Sequence, residues 1–377
     1  MLFSFIVPYR NRETVRVKNC LQSILNQTFK DFEVIFTDYG SDLPRQQEIE
    51  MLCKQLGQVD YTYYDTRYQF WSRAHAINLG IRKAKGDYLI IVDIDLIYSP
   101  YFAEELKNMV SEKSFIQYQC YYLPQEFTNY DSLDFKKQYS FNTSTTHIGG
   151  GLIIIPRKSM LAIGGFDEYF KVWGVEDMEM LSRLKQENLE NKILSISHVK
   201  NFHQWHAPAS HVGLMPHLWL SAMEKYAKQK LPSPLPYLSQ EFVGKRSSLS
   251  IIQTIENQPN KYFYFEYPTL QAYSKFAQAF YTLQSGDYLI VNQKFEAIKA
   301  SEKSRLAGIF SRVNQLFGKI NISYRITELQ TFETEMMNFT NVRDFIFYFI
   351  ADNQAFISDY AFDVIYPSQI KCVLFKK

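Results

Sequence analysis

The sequence predicts an α/β fold, a largely parallel sheet covered by helices, followed by a smaller α/β domain. Three observations carry the prediction. Short β-branched and aromatic runs alternate with helical stretches through the first half of the chain. One of those runs, Tyr88-Leu-Ile-Ile-Val92, has no polar alternation and reads as a central strand buried on both faces. The charged, Pro-rich stretch from Lys228 to Pro236 then separates these elements from a second set.

In order, strands are expected at Phe3–Val7, Phe32–Thr37, Val59–Tyr64 and Tyr88–Val92, with helices at Thr14–Asn26, Gln46–Leu56 and Arg73–Lys83 between them. A strand at Leu152–Ile155 and a helix at Met178–Lys185 follow, giving a first domain over residues 1–228 and a second over 229–377. In the second, Tyr262–Tyr267 reads as a strand, and Leu270, Tyr273, Ala277, Phe280 and Tyr281 recur at helical spacing as core residues. A helix near Lys294–Phe317, a strand near Ile320–Ile326 and the apolar runs Phe345–Ile350 and Phe362–Ile365 complete it. Gly286-Asp-Tyr-Leu-Ile290 echoes Gly86-Asp-Tyr-Leu-Ile90, but five residues are too few for a repeat.

Composition narrows the function. With 377 residues, 46% hydrophobic and 16% aromatic, the chain can bury a large core. A net charge of +2 carries no electrostatic signature for nucleic acid. Cys20, Cys53, Cys120 and Cys372 lack metal or disulfide spacing, which suits a reducing compartment. The start, Met1-Leu-Phe-Ser-Phe-Ile-Val-Pro8, lacks the charged opening of a signal peptide and reads as the first strand. No segment approaches the roughly 20 apolar residues of a membrane span. A cytoplasmic protein is expected, with any membrane contact peripheral, at the inner face.

The chemistry concentrates at strand ends. Asp93 and Asp95 close the fourth strand, and ligands of open α/β sheets collect outside such carboxyl ends. At i and i+2 of an extended segment both acids would face one site, where a hard divalent cation bound to a diphosphate would offset their repulsion. Alternatively, the pair caps a helix beginning near Ser99-Pro100. Asp38 ends the second strand, placed to hydrogen-bond a base or ribose, or simply to make a turn. Arg73 stands at a helix start, where guanidinium and helix dipole favour phosphate. Gly149-Gly150-Gly151 permits close backbone approach to a ligand or makes a strained turn. Trp173, beside the acids Glu176 and Asp177, has the chemistry of sugar recognition, although acids at a helix start also serve the helix itself.

Taken together, Val7-Pro8-Tyr9-Arg10-Asn11-Arg12, Asp38-Tyr-Gly-Ser41, Ser72-Arg73-Ala74 with Asn78-Leu-Gly80, Asp93-Ile-Asp95 and Trp173-Gly-Val-Glu176-Asp177 resemble the GT-A-fold inverting glycosyltransferases. The likeness is to family 2 transferases with a galactosyltransferase-like segment, of the β-galactosyltransferase and chondroitin-polymerase type. It spans about residues 1–228, and Trp-Gly-x-Glu-Asp discriminates best. Residues 237–377 resemble no family.

The resemblance implies a GT-A (Rossmann-like) mixed sheet and a metal-dependent transferase that moves a hexose or N-acetylhexosamine from a UDP-sugar to a glycan or lipid-linked glycan acceptor. It implies a donor site of Pro8, Arg10, Asp38, Arg73, Asp93 and Gly150, with Asp38 on uracil or ribose and Arg73 on uridine or diphosphate. Asp95 and His203 would ligate Mn2+ or Mg2+, with His206 or water completing the shell. Asp177 would be the general base, Glu176 would hydrogen-bond the acceptor, and Trp173 would stack on sugar. Direct displacement would then turn an α-linked donor into a β-linked product, in surface polysaccharide or glycoconjugate synthesis.

Three positions depart from the pattern: Tyr39 replaces a second acid, Val175 a second glycine, and Lys200 a methionine ligand three residues before His203. His198 and His211 are expected to be structural or on the surface. Two other classes compete. The four acids could serve a glycoside hydrolase, which leaves Asp38 and Arg73 without purpose. A catalytically silent sugar-nucleotide-binding or scaffold protein is the stronger rival.

Overall fold

A computed structural model describes residues 2–143, 152–207, 216, 219–229, 234–238, 250, 252–253, 262–265, 270–295, 334–365 and 368–377. The chain divides into two compact units, Met1–Phe242 and Val243–Lys377. Residues 234–238 stay with the first unit because the Leu235 N–H donates to the Ile163 carbonyl and the Tyr237 hydroxyl donates to Asp167.

The first unit is built on strands β1 (Phe3–Tyr9), β2 (Phe32–Tyr39), β3 (Val59–Tyr64) and β4 (Tyr88–Ile91), all parallel. Helices α1 (Thr14–Leu25), α2 (Leu43–Leu56) and α3 (Arg73–Lys83) connect them. All seven residues of β1 are buried. Their period of two sends Phe3, Phe5 and Val7 into the core under α1, and Ile6 into the core that holds Ile35, Ile77, Leu89 and Ile91. Helix α1 answers with Val17, Cys20, Leu21 and Ile24, one stripe at helical spacing. Each such side chain, fully buried, stabilises by about 1.5–3 kcal/mol.

Beyond β4 and β5 (Leu96–Ile97), helix α4 (Phe102–Met109), β6 (Ser114–Tyr118), β7 (Tyr121–Tyr122), β8 (Ile153–Pro156), α5 (Arg157–Ala162), α6 (Glu176–Gln186), β9 (Glu190–Leu194), β10 (Phe202–His203) and α7 (Trp219–Ala227) complete the described part of the unit. Strand β8 runs antiparallel between β4 and β6, so the sheet order β3-β2-β1-β4-β8-β6-β9 is mixed, as the resemblance implied. A separate small sheet, β5-β10-β7, sets the functional geometry.

The second unit carries a four-stranded sheet of β11 (Tyr262–Phe263), β12 (Tyr288–Lys294), β13 (Ile357–Ile365) and β14 (Gln369–Lys376), in the order β11-β12-β14-β13. Helices span Leu270–Tyr281 and Thr334–Asp352. The aromatics read as core are core: Tyr273 stacks on Phe345 at 4.2 Å, and Phe276 and Phe280 meet Phe349 edge-on. Tyr281, half exposed, is the member of that set at the rim. Lys294, expected to open a helix, instead ends β12. The remainder of that expected helix after Phe295, and the strand expected at Ile320–Ile326, lie outside the described residues. No helix among the described residues is long and apolar enough to cross a membrane, and all four cysteines are buried free thiols.

Candidate active site

Strand β4 ends at Ile91, so Asp93 and Asp95 are not two side chains of one extended segment. Leu96 N–H donates back to the Asp93 carbonyl at 3.1 Å, and Asp95 lies in the turn so formed. The two carboxylates therefore diverge. Neither caps the following helix, whose N-cap is Tyr101.

Asp95 meets two histidines. The small sheet pairs β5 antiparallel to β10 with His203 opposite Leu96, which sets the imidazole one residue from Asp95. The Gln204 N–H donates to the Asp95 carbonyl at 2.7 Å, and the Gln204 side chain is itself held by Asn19 and the Arg16 carbonyl. His203 Nε2 stands 3.5 Å from Asp95 Oδ1, and His206 Nε2 stands 3.2 Å from Oδ2. The three ligand atoms lie within 4.8 Å of one another. Burial alone would raise the Asp95 carboxyl, but the two imidazoles hold it well below the usual carboxylate range.

Two details fit a divalent cation. Asp95 Oδ1 is buried with no hydrogen-bond partner, an orphan of the kind that native structures keep for an ion. The His206 Nδ1 to Ala207 carbonyl contact, 2.8 Å, places the ring proton on Nδ1. Nε2 then presents a lone pair to a carboxylate oxygen, which is stable only with a second proton or a metal ion between them.

Asp93 belongs to a second cluster, centred on Arg73. Ser72 caps α3 by accepting the His75 N–H, which makes Arg73 the first helical residue. Its Nη1 donates to Asp177 Oδ1 and its Nη2 to Asp93 Oδ1, each at 2.8 Å, with Glu176 Oε1 3.7 Å from Nη1. Burial by itself would lower the Arg73 guanidinium, but the three carboxylates raise it above its ordinary value. Glu176 is pushed up to about 7 by burial and then by its neighbour Asp177.

Glu176 and Asp177 open α6, where the helix dipole favours acids. The chain reaches that start through a strained turn: Val172, Gly174 and Val175 have φ of 70°, 101° and 73°. Left-handed backbone is rare for a β-branched residue. Val175, noted as standing where relatives carry glycine, thus adopts the conformation glycine supports. Hydrogen bonds fasten the turn to α3, with Ser72 Oγ donating to the Phe170 carbonyl and Val172 N–H to the Trp71 carbonyl. Trp173 projects from it, 58% exposed.

Comparison with known proteins places this geometry. Residues 4–164 match the model of glycosyl transferase family 2, and residues 133–207 match the N-terminal domain of galactosyltransferase. The N-terminal unit is a family 2 glycosyltransferase domain. Its mixed sheet is the GT-A architecture that the sequence predicted. The chain is similar to chondroitin synthase of Escherichia coli, 26% identical over 233 residues, covering 49% of this chain and 32% of that protein. It is 33% identical over 112 residues to glycosyltransferase GlyG of Streptococcus pneumoniae, covering 30% of this chain and 36% of that one. The matches thus span about a third of each relative. The solved structure of S. aureus TarS 1-349 in complex with UDP-GlcNAc aligns with a TM-score of 0.47 at 13% identity, over 74% of this chain and 81% of that one.

Within the glycosyltransferase domain, the sequence-predicted residues fall into separate groups. Asp95, His203 and His206 form one, and Arg73, Asp93, Glu176 and Asp177 form another beside it. Arg73, expected on phosphate, already has both arms on carboxylates. On the nucleotide side, Asp38 is fully buried, accepting from the Ser41 N–H and the Tyr61 hydroxyl, each at 3.0 Å. Burial raises its carboxyl. Arg10 donates to the carbonyls of Arg67 and Gln69, and Pro8 is buried in β1 opposite Thr37. These residues shape the pocket floor from beneath. Gly150 and His211 lie outside the described residues, and His198 is exposed, its Nδ1 beside Ser195 Oγ. Sequence reasoning passed over Lys171, whose signal was a lone cation between Phe170 and Val172.

Proposed function

We infer that this chain is a metal-dependent, inverting glycosyltransferase that moves a hexose or N-acetylhexosamine from a UDP-sugar to a hydroxyl of a glycan, free or lipid-linked, in surface polysaccharide or glycoconjugate synthesis. The observation that carries the reading is the double contact of Arg73, which ties Asp93 beside the Asp95–His203–His206 triad to Asp177 at the start of α6. A donor-side group and a base-side group are thereby held at a fixed separation.

Two imidazoles and one carboxylate suit a first-row divalent ion better than Mg2+, which prefers oxygen ligands, so Mn2+ is the proposed partner of Asp95, His203 and His206. Bound there, it would neutralise charge developing on the departing diphosphate. The protein's own residues do the rest. Asp93 meets the ribose or donor sugar over a floor shaped by Asp38, Arg10 and Pro8. Trp173 offers its exposed face to the acceptor ring. Asp177, oriented by Arg73, takes the acceptor hydroxyl proton as the new bond forms on the face opposite the leaving group. Glu176, with a pKa near neutrality, can donate or accept a hydrogen bond at the same hydroxyl. Displacement in one step inverts the anomeric carbon.

Purified protein should hydrolyse a UDP-sugar slowly in Mn2+ and stop in EDTA. Asp177→Asn should keep UDP·Mn2+ affinity while transfer falls by about 10²–10⁴-fold, the usual share of a general base. Inertness toward all common donors, together with no calorimetric UDP binding, would refute the reading.

A further inference from the structure

Lys171 is 94% buried by its 6% exposure, yet among the described residues no acceptor lies within hydrogen-bond or ion-pair distance of its ammonium. The nearby acids are committed elsewhere. Asp167 accepts from the Tyr226 and Tyr237 hydroxyls and the Tyr169 N–H, and Glu168 accepts from Asn78. The backbone around the lysine is rigidly placed, its carbonyl accepting from Trp219 Nε1 and from the Trp173 N–H. Lys171 lines a recess of about 160 Å³ together with Arg73, Phe170, Val172, Trp173 and Glu176. Arg73, the other cation there, is spent on Asp93 and Asp177.

A buried cation without a partner is costly, and proteins retain one where a ligand supplies the counter-charge. The recess has the volume of a few water molecules, at roughly 30 Å³ each. It therefore admits a substituent of a sugar while the ring stays at the mouth, beside Trp173. The geometry points to Lys171 as the anion-binding residue of an acceptor subsite, one that takes the carboxylate of an acidic sugar. A carboxylate gains a charge-assisted hydrogen bond there, whereas a neutral hydroxymethyl leaves the ammonium unpaired, and sites of that kind discriminate strongly. Burial lowers the lysine pKa to about 8, so the amine is still largely protonated at neutral pH. This inference rests on the transferase reading and names the acceptor class for the same site.

The experiment compares p-nitrophenyl β-glucuronide with p-nitrophenyl β-glucoside as acceptors for the full chain. The wild type should favour the glucuronide at least tenfold in kcat/KM, mostly through KM. Lys171→Met should bring the ratio near one, and Lys171→Arg should restore part of it. Equal use of the two acceptors by the wild type, or a preference that survives Lys171→Met, overturns the proposal. A preference for glucose 6-phosphate over both overturns the carboxylate assignment. Calorimetric titration of wild-type protein with glucuronate and with glucose, without donor, needs no variant, and equal affinities also overturn it. Absence of any UDP-sugar hydrolysis in Mn2+ would instead mark failure of the transferase reading, so the two failures are distinguishable.

Discussion

Replacing Lys171 by Met should stabilise the N-terminal unit at neutral pH. Methionine keeps the unbranched stem that packs beside Phe170 and removes only the desolvated charge. Burial brings the lysine from its ordinary 10.5 down to about 8. At 1.36 kcal/mol per decade, that gap is worth roughly 3 kcal/mol of destabilisation when the amine is charged, an upper bound that local relaxation reduces to about 1–3 kcal/mol. The sign follows from linkage. Below pH 8 the amine is protonated both folded and unfolded, and the folded state bears the whole penalty. As pH rises from about 8 to 10.5 the folded state sheds its proton first, and above that the penalty is gone. The gain from Lys171→Met should therefore be full at pH 7 and absent by about pH 11. Trp71, Trp173, Trp205 and Trp219 are all the tryptophans of the chain and all lie in the first unit, so urea titrations followed by tryptophan fluorescence report on that unit alone. A variant less stable than the wild type at pH 7 would show that Lys171 is paired, and would refute the reasoning.

Further outcomes follow from the same geometry. Arg73→Lys keeps the charge but cannot span Asp93 and Asp177; losing one charged hydrogen bond, worth about 1.5–3 kcal/mol, should lower kcat roughly 10- to 150-fold while UDP affinity, measured by calorimetry, changes little. A fall confined to UDP affinity would return Arg73 to the diphosphate. Val175→Gly should stabilise by about 0.5–1 kcal/mol in urea, since relief of left-handed strain exceeds the entropy glycine adds to the unfolded chain, and a loss of more than 1 kcal/mol would contradict that account. His206→Ala should weaken Mn2+ binding at least tenfold by electron paramagnetic resonance titration, and unchanged binding would leave the metal to Asp95 and His203 alone.

Periodicity is a local property, and it was legible. Strands β1 to β4 and helices α1 and α3 lie where apolar alternation and helical spacing place them, because each needs only its own residues to declare which face is buried. The motif residues Asp95, His203, Glu176 and Asp177 were also legible, since metal and proton chemistry restrict which side chains can serve. Their partners were not. That Asp93 and Asp95 turn apart depends on where β4 stops and the chain turns. That His203 and His206 both reach Asp95 depends on the pairing of β5 with β10, over a hundred positions apart in the chain.

What the amino-acid order alone determined is the α/β fold, its strand sequence and the residue types available for a sugar-nucleotide site. Tertiary structure decided their assignments: Arg73 bound to carboxylates, Asp38 sealed beneath the surface, Val175 in a glycine conformation and Lys171 buried without a partner. The physical reason is that burial and charge pairing are sums over neighbours brought from distant parts of the chain, and a linear pattern records the residue but not its surroundings.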